Sequence, residues 1–285
     1  MTEASDQNQN TYVIDNKSGA EMARLLDQDR LMTQGMGGLF PEREDLSGIS
    51  RILDIACGPG GWAQEVAFAH PEIDVVGIDS SVAMIEHART QAKMQRLENV
   101  RFEVMDAKKP LAFPDGSFDL INARLIVGFM SPAGWPELMR ECLRLLRPGG
   151  VLRLTETEWP WVTSGALDRL LLLFARALYE SGQSFSPTGA YLGITPVLRR
   201  ILRDAGFTHI QGKAHCIDIS SGTPAHQSYF NDVRSVFPLL QPFLQKWVGT
   251  TKEEMQSLHQ EALTELLAED FCGLWFIYTI WGEKA

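Results

Sequence analysis

The chain has few cysteines, no long apolar run and a shortage of positive charge. Its four cysteines, Cys57, Cys142, Cys216 and Cys272, lie far apart and include no C-x-x-C pair, which removes the usual signatures of zinc sites and dithiol redox centres. No metal is expected, and dispersed single thiols fit a reducing compartment. No stretch of about 18 uninterrupted apolar residues occurs, so no membrane span is expected. The first fifteen residues are polar and lack the apolar core of a secretory signal; the expected location is the cytoplasm. Lys and Arg number 26 against 36 Asp and Glu, giving a formal net charge of −10 and a pI near 5.1. A nucleic-acid partner would require a basic footprint, and this balance argues against one. The densest basic run, Arg140, Arg144 and Arg147 with leucines between them, reads as the solvated face of an amphipathic helix.

What the 285 residues do contain is ordinary globular material, 45% hydrophobic and 22% charged, enough for a core domain with an attached cap. A polar tail (1–15) precedes a helix with Ser18 as its N-cap and Glu21 three residues on. From residue 51 short apolar strands alternate with amphipathic helices: strands at 51–56, 75–78, 100–105, 118–123 and 151–155, helices at 61–69, 82–94 and 135–146. That rhythm predicts an α/β fold with a mostly parallel sheet covered by helices on both faces. Later come helices at 165–181, 196–205, 224–247 and 252–267, a strand at 209–219 and a closing strand at 273–282. The expected organisation is a tail and cap helix (1–47), a core (48–160), a helical cap insertion (161–195), core again (196–221), a helical insertion (222–270) and a final core strand (271–285).

The turn after the first strand, Gly58-Pro59-Gly60-Gly61-Trp62-Ala63, fits G-x-G-x-x-G/A. Glycine accepts positive φ there and admits a ligand to the backbone, while the following helix offers free N–H groups and its positive dipole end. Asp79 lies 21 residues past Gly58, at the end of the next strand, where a carboxylate can accept both hydroxyls of a ribose. The strand before the turn, Ile52-Leu53-Asp54-Ile55-Ala56, carries an acid. A carboxylate beside the turn repels a pyrophosphate but suits the cationic amino-acid end of S-adenosylmethionine.

These segments resemble the class I, Rossmann-like methyltransferases. ILDIACGPGGWA (52–63) resembles their first motif, VVGIDSS (75–81) the ribose-binding strand and VRFEVMDA (100–107) the third strand. FPDGSFDLINAR (113–124) is similar to the fourth, LRLLRPGGVLRLTE (143–156) to the helix, turn and fifth strand, and ITPVLRRILRDAGF (194–207) to the helix before the sixth. Within the class the chain is similar to small-molecule methyltransferases of the ubiquinone and menaquinone type. The resemblance implies a seven-stranded sheet whose last strand is antiparallel, S-adenosylmethionine as cofactor and S-adenosylhomocysteine as product. By position it implies that Gly58 and Gly60 approach the cofactor, Asp54 holds its amino group and Asp79 its ribose. Ser80 and Met84 would flank the adenine, Asp106 and the Ala107 N–H would meet its edge, and Asn122 would help line the methionine end. The chain departs from the plainest members by about 50 residues inserted between its last two strands.

The acceptor is less legible. The motif for amino-group methylation of adenine or glutamine, Asn/Asp-Pro-Pro-Tyr/Phe, is replaced by Asn122-Ala123-Arg124-Leu125, and no Pro-Cys pair for cytosine chemistry occurs. With the acidic balance, a small organic acceptor is expected. Ligands in such sheets bind at the carboxyl ends of strands, which makes Arg124 a candidate anion anchor or salt-bridge partner, and Glu156 and Glu158 candidate bases. Phe129, Trp159, Trp161 and Tyr191 are candidate pocket residues, with Tyr12, Gln28, Met36 and Gly37 in a closing N-terminal cap. His215 and His226 read as core or surface histidines. Two other readings stay open: a nicotinamide-dependent oxidoreductase, against which Asp54 and the missing Tyr-x-x-x-Lys pair speak, and a fold of this type that binds cofactor without turnover.

Overall fold

A computed structural model describes residue 14 and residues 19–285. Apart from Ile14, the tail with Tyr12, and the expected cap Ser18, lie outside the described residues. One mixed sheet organises the chain. β1 (Arg51–Ile55) lies between β2 (Asp74–Asp79) and β4 (Phe118–Arg124), parallel to both. β3 (Val100–Val104) continues beyond β2 and β5 (Leu146–Thr157) beyond β4, again in parallel. β8 (Gly273–Glu283) runs antiparallel to β5 and to the edge strand β7 (Thr208–Asp218). A two-residue β6 (Trp161–Val162) also pairs with β8; Leu274 faces Asp218 on one side and Trp161 on the other. β6 therefore prolongs the β5 side after a break at 158–160, and eight strands occupy seven positions. The expected antiparallel last strand is β8.

The strand pattern follows from double coverage. A strand buried on both faces reads as a continuous apolar run, and in β1 everything from Ile52 to Ile55 is buried. Leu53 and Ile55 face one cluster, with Trp135, Leu138, Met139 and Cys142 of α4 (Trp135–Leu145) and Leu198 and Leu202 of α6 (Leu198–Ala205). Ile52 faces the other, with Trp62 and Val66 of α2 (Gly61–Ala69) and Ile85 and Ala88 of α3 (Val82–Met94). Each such aliphatic side chain contributes about 1.5–3 kcal/mol by leaving water.

A third cluster belongs to the added helices. α1 (Gly19–Met36), α5 (Gly165–Glu180), α7 (His226–Val248) and α8 (Lys252–Leu266) bury Met32, Leu170, Phe237, Leu240 and Leu258 together with Trp275 and Ile277 of β8. Local signals set the helix starts. Ser164 accepts from the Leu167 N–H, and Thr251 and Glu254 form a reciprocal capping box. Pro238 and Pro242 sit inside α7, each removing one backbone donor.

Candidate active site

The backbone between β1 and α2 is held in unusual geometry. Ala56, Gly58 and Gly60 all have positive φ, at 56°, 53° and 82°. Leu125, just past β4, is also left-handed at 55°. A left-handed non-glycine residue costs roughly 1 kcal/mol or more, and both Ala56 and Leu125 line one cavity at the carboxyl edge of the sheet. The Gly58 N–H donates to Asp79 Oδ2 (3.1 Å) and the Ser81 N–H to Asp79 Oδ1 (2.8 Å). Burial pushes the Asp79 carboxyl above its ordinary range, opposed by these backbone donors. The carboxylate is thus aimed by the turn it supports.

Asp54 is held differently. It is 4% exposed, and burial raises its carboxyl to about 7 against the stabilising Asn122 amide and the Arg153 charge. Asn122 Nδ2 donates to Asp54 Oδ1 (2.8 Å), Arg153 Nη1 donates to Asn122 Oδ1 (2.7 Å), and Arg153 Nε donates to Glu42 (2.6 Å). Asp54 Oδ2 makes no hydrogen bond among the described residues, and Asp54 lines the cavity. A carboxylate in a buried strand is costly unless it is paired, so this position beside the cavity suits a cationic ligand group. The chemistry of the donor set fits the ammonium end of S-adenosylmethionine.

The cavity measures about 310 Å³. Its lining brings together Asp54, Gly58, Asp79, Ser80, Met84, Asp106, Ala107 and Arg124, together with Gln28, Phe129 and Trp159. Gly60 and Asn122 are not part of that lining. Asn122 is fully buried and reaches the cavity only through Asp54. A Cβ on Gly60 would stand 2.7 Å from Phe102 and 2.9 Å from Ala88, so Gly60 makes room for the Phe102 ring. Gly60→Ala is expected to destabilise the fold by about 1–3 kcal/mol through overpacking, with added strain at its positive φ. Denaturant melts check this; an unchanged midpoint would show that Phe102 moves aside freely.

The candidate bases do not reach the cavity. Thr157 lines it, and strand alternation turns Glu156 to the other face of β5. There Glu156 Oε1 accepts from the Ile126 N–H (2.9 Å) and Oε2 has no partner in a site where burial raises the carboxyl to about 8. Glu158 accepts from the N–H groups of Gly193 (3.0 Å) and Thr195 (3.2 Å) and from the Thr195 hydroxyl (3.0 Å), fixing that loop. In this structure both acids are engaged with backbone or hydroxyl donors and neither is part of the cavity lining. Arg124 pairs with Asp29 of α1 and donates to Thr33 (3.1 Å), with burial lowering it to about 9; it ties the cap helix to β4 and is not left open for an anionic acceptor. Trp161 is 74% exposed against Phe276, and Trp161, Tyr191, Met36 and Gly37 stand outside the lining.

The raised Glu156 value has a stability consequence. The folded state favours the protonated form, so its contribution is complete below the ordinary value of 4.5 and is lost as pH rises through about 8. The loss amounts to roughly 5 kcal/mol at most. Wild-type melting temperature should fall from pH 5 to 9, and Glu156→Gln should flatten much of that slope. Parallel slopes for the two proteins would count against a buried, protonated Glu156.

The sequence places the helical segments 18–33, 165–181 and 224–268 as a lid around the acceptor, but it does not single out most of the residues with which they line the cavity. Arg24, Asp29 and Met32 of α1, Leu171 and Phe174 of α5, Tyr229, Asp232, Val233 and Phe237 of α7, and Trp275 of β8 all line the cavity. The one available signal was the amphipathic spacing of these helices, which marks core and ligand-facing positions alike.

Residues 52–150 match a family model described as a methyltransferase domain. The probable methyltransferase ltbC of Aspergillus luteorubrus is 28% identical over 221 residues, 72% of this chain and 75% of that protein. A demethylmenaquinone methyltransferase of Deinococcus radiodurans is 36% identical over 124 residues, 44% of this chain and 49% of that protein. Among solved structures, phosphoethanolamine N-methyltransferase 2 of Haemonchus contortus in complex with S-adenosyl-L-methionine is similar with a TM-score of 0.55 and 18% identity, over 94% of this chain and 57% of that one; that likeness is one of fold. With the 3-2-1-4-5-8-7 sheet and the Asp54–Gly58–Asp79 site, the matched core defines the class: an S-adenosylmethionine-dependent methyltransferase with a class I, Rossmann-like core. Its affinity lies with the enzymes of that class that methylate small molecules. Among the described residues no helix is long and apolar enough to cross a membrane.

Proposed function

We propose that the chain methylates a small, largely apolar organic molecule held between the carboxyl edge of the sheet and the wall built by α1, α5 and α7. The observation that carries this reading is the shared cavity: Asp54, Gly58 and Asp79 open into the same space as Leu171, Phe174 and Phe237. In this reading Asp79 takes the ribose hydroxyls and Asp54 the amino group. Ser80 and Met84 flank the adenine, while Asp106 accepts from its amino group beside the Ala107 N–H. Bound S-adenosylmethionine supplies an already activated methyl group, so the protein's part is alignment and exclusion of water. Alignment alone can contribute about 7–11 kcal/mol in favourable cases. The apolar wall excludes water, and the Arg124–Asp29 pair anchors that wall to β4. Apolar lining and the aspartates around it disfavour an anionic acceptor.

The resemblance to the ubiquinone and menaquinone type of small-molecule methyltransferase is compatible with this class of acceptor. Calorimetric titration with S-adenosylhomocysteine, with NAD as control, tests the cofactor half. Binding of NAD alone would return the oxidoreductase reading. Transfer of label from a methyl-labelled donor to apolar acceptors tests the other half, and tight cofactor binding without transfer to any of them would favour a fold that binds without turnover.

A further inference from the structure

The α7 wall of the cavity holds a polar spot that methyl transfer in itself does not call for. Tyr229 is 5% exposed, its ring centroid lies 6.2 Å from that of Trp275, and it lines the cavity. Among the described residues its hydroxyl has no hydrogen-bond partner. Tyr229 is buried as a residue and lines the cavity, so this hydroxyl, with no partner among the described residues, is available to a ligand there. Asp232 follows at i+3 on the same helical face. Its Oδ1 accepts from Arg24 Nη1 (2.7 Å) and Gln28 Nε2 (3.4 Å), which leaves Oδ2 without a donor. Burial and the neighbouring Asp232 charge both push the Tyr229 phenol far up, so it stays protonated and able to donate.

We propose that Tyr229 and the free oxygen of Asp232 together recognise a hydroxyl group on an otherwise apolar acceptor. A hydroxyl is the group that satisfies both partners at once: it accepts from the Tyr229 O–H and donates to Asp232 Oδ2. A carboxylate or phosphate is repelled by Asp232, whose nearby Arg24 is shared with Glu21 (2.7 Å). An ammonium group can donate to Asp232 but cannot accept from Tyr229. The rest of such an acceptor would lie against Trp159, Phe174, Phe237 and Trp275, which line the same cavity. Tyr229 and Asp232 come from the helical insertion between β7 and β8, so this specificity lies outside the matched core. The inference rests on the methyl-transfer reading of the cavity.

The test uses the full chain saturated with S-adenosylhomocysteine and two probes of matched shape, 4-ethylphenol and ethylbenzene, titrated with ligand-observed NMR. The expected result is a preference for the phenol of about tenfold or more. Tyr229→Phe, which keeps the ring against Trp275, should reduce the preference to within about threefold, with S-adenosylhomocysteine affinity unchanged. Asp232→Asn reads the same ratio independently, since it keeps an acceptor for Arg24 while removing the charge. A wild type without preference, a wild type that binds neither probe, or a preference that survives both substitutions overturns the inference and leaves the cofactor site standing. Failure of the wild type to bind S-adenosylhomocysteine overturns the functional reading and this inference with it.

Discussion

Asp54→Asn is expected to weaken S-adenosylhomocysteine binding by about 3–5 kcal/mol, the scale of leaving a buried charge without its partner. The substitution is close to isosteric, and the new amide oxygen can still accept from Asn122, so the Arg153–Asn122 chain behind it has no reason to collapse. The pH profile adds a second readout. In the free protein the Asp54 carboxyl sits at about 7, and it must ionise to hold an ammonium group. Wild-type affinity should therefore rise with pH up to about 7 and then level off, until the ligand amine itself loses its proton. The variant should lack that rise. Calorimetry from pH 5.5 to 8 decides the matter, and equal affinity and equal slope in the two proteins would remove Asp54 from the ligand's surroundings.

Asp79→Ala should cost about 1.5–3 kcal/mol in the same titration, the range for hydrogen bonds to a charged group. Two effects are combined in that figure, because Asp79 also accepts from the Gly58 and Ser81 N–H groups and so shapes the turn. Adenosine and 2′,3′-dideoxyadenosine separate them. If the carboxylate serves the ribose, the loss appears with adenosine and largely disappears with the dideoxy analogue. An equal loss with both would assign Asp79 to the turn alone.

The placement of these acids and the glycine turn at one cavity was legible because its logic is local. An acid within a buried strand, a glycine turn and a second acid at the next strand end are features of short segments, and Asp54, Gly58, Asp79 and Asp106 all reach the cavity. Gly60 was read as a ligand contact because the motif contains it; its packing against Phe102, 42 residues on, is a property of the folded sheet. Glu156 was misplaced because β5 runs to Thr157, past the expected end at Thr155, and alternation then assigns Thr157 and not Glu156 to the cavity face. That the helical segments 18–33, 165–181 and 224–268 close over the acceptor was legible, but which of their residues line the cavity was not, for a different reason. Helical spacing shows which residues turn inward, but whether the inward neighbour is a side chain or a ligand depends on pairings such as Arg24 with Asp232, separated by 208 positions.

The helices that roof the cavity carry a hydrophobic cluster of their own, distinct from the two that sandwich the sheet. Floor and roof can thus diverge at different rates. Substitutions at the cavity-facing positions of α5 and α7 draw mainly on the roof's reserve of stability, with Phe174 the position that also packs against a sheet cluster. A combinatorial library confined to Leu171, Phe174, Val233 and Phe237 should yield proteins that keep the donor and differ in what they methylate, which makes the chain a candidate starting point for directed evolution.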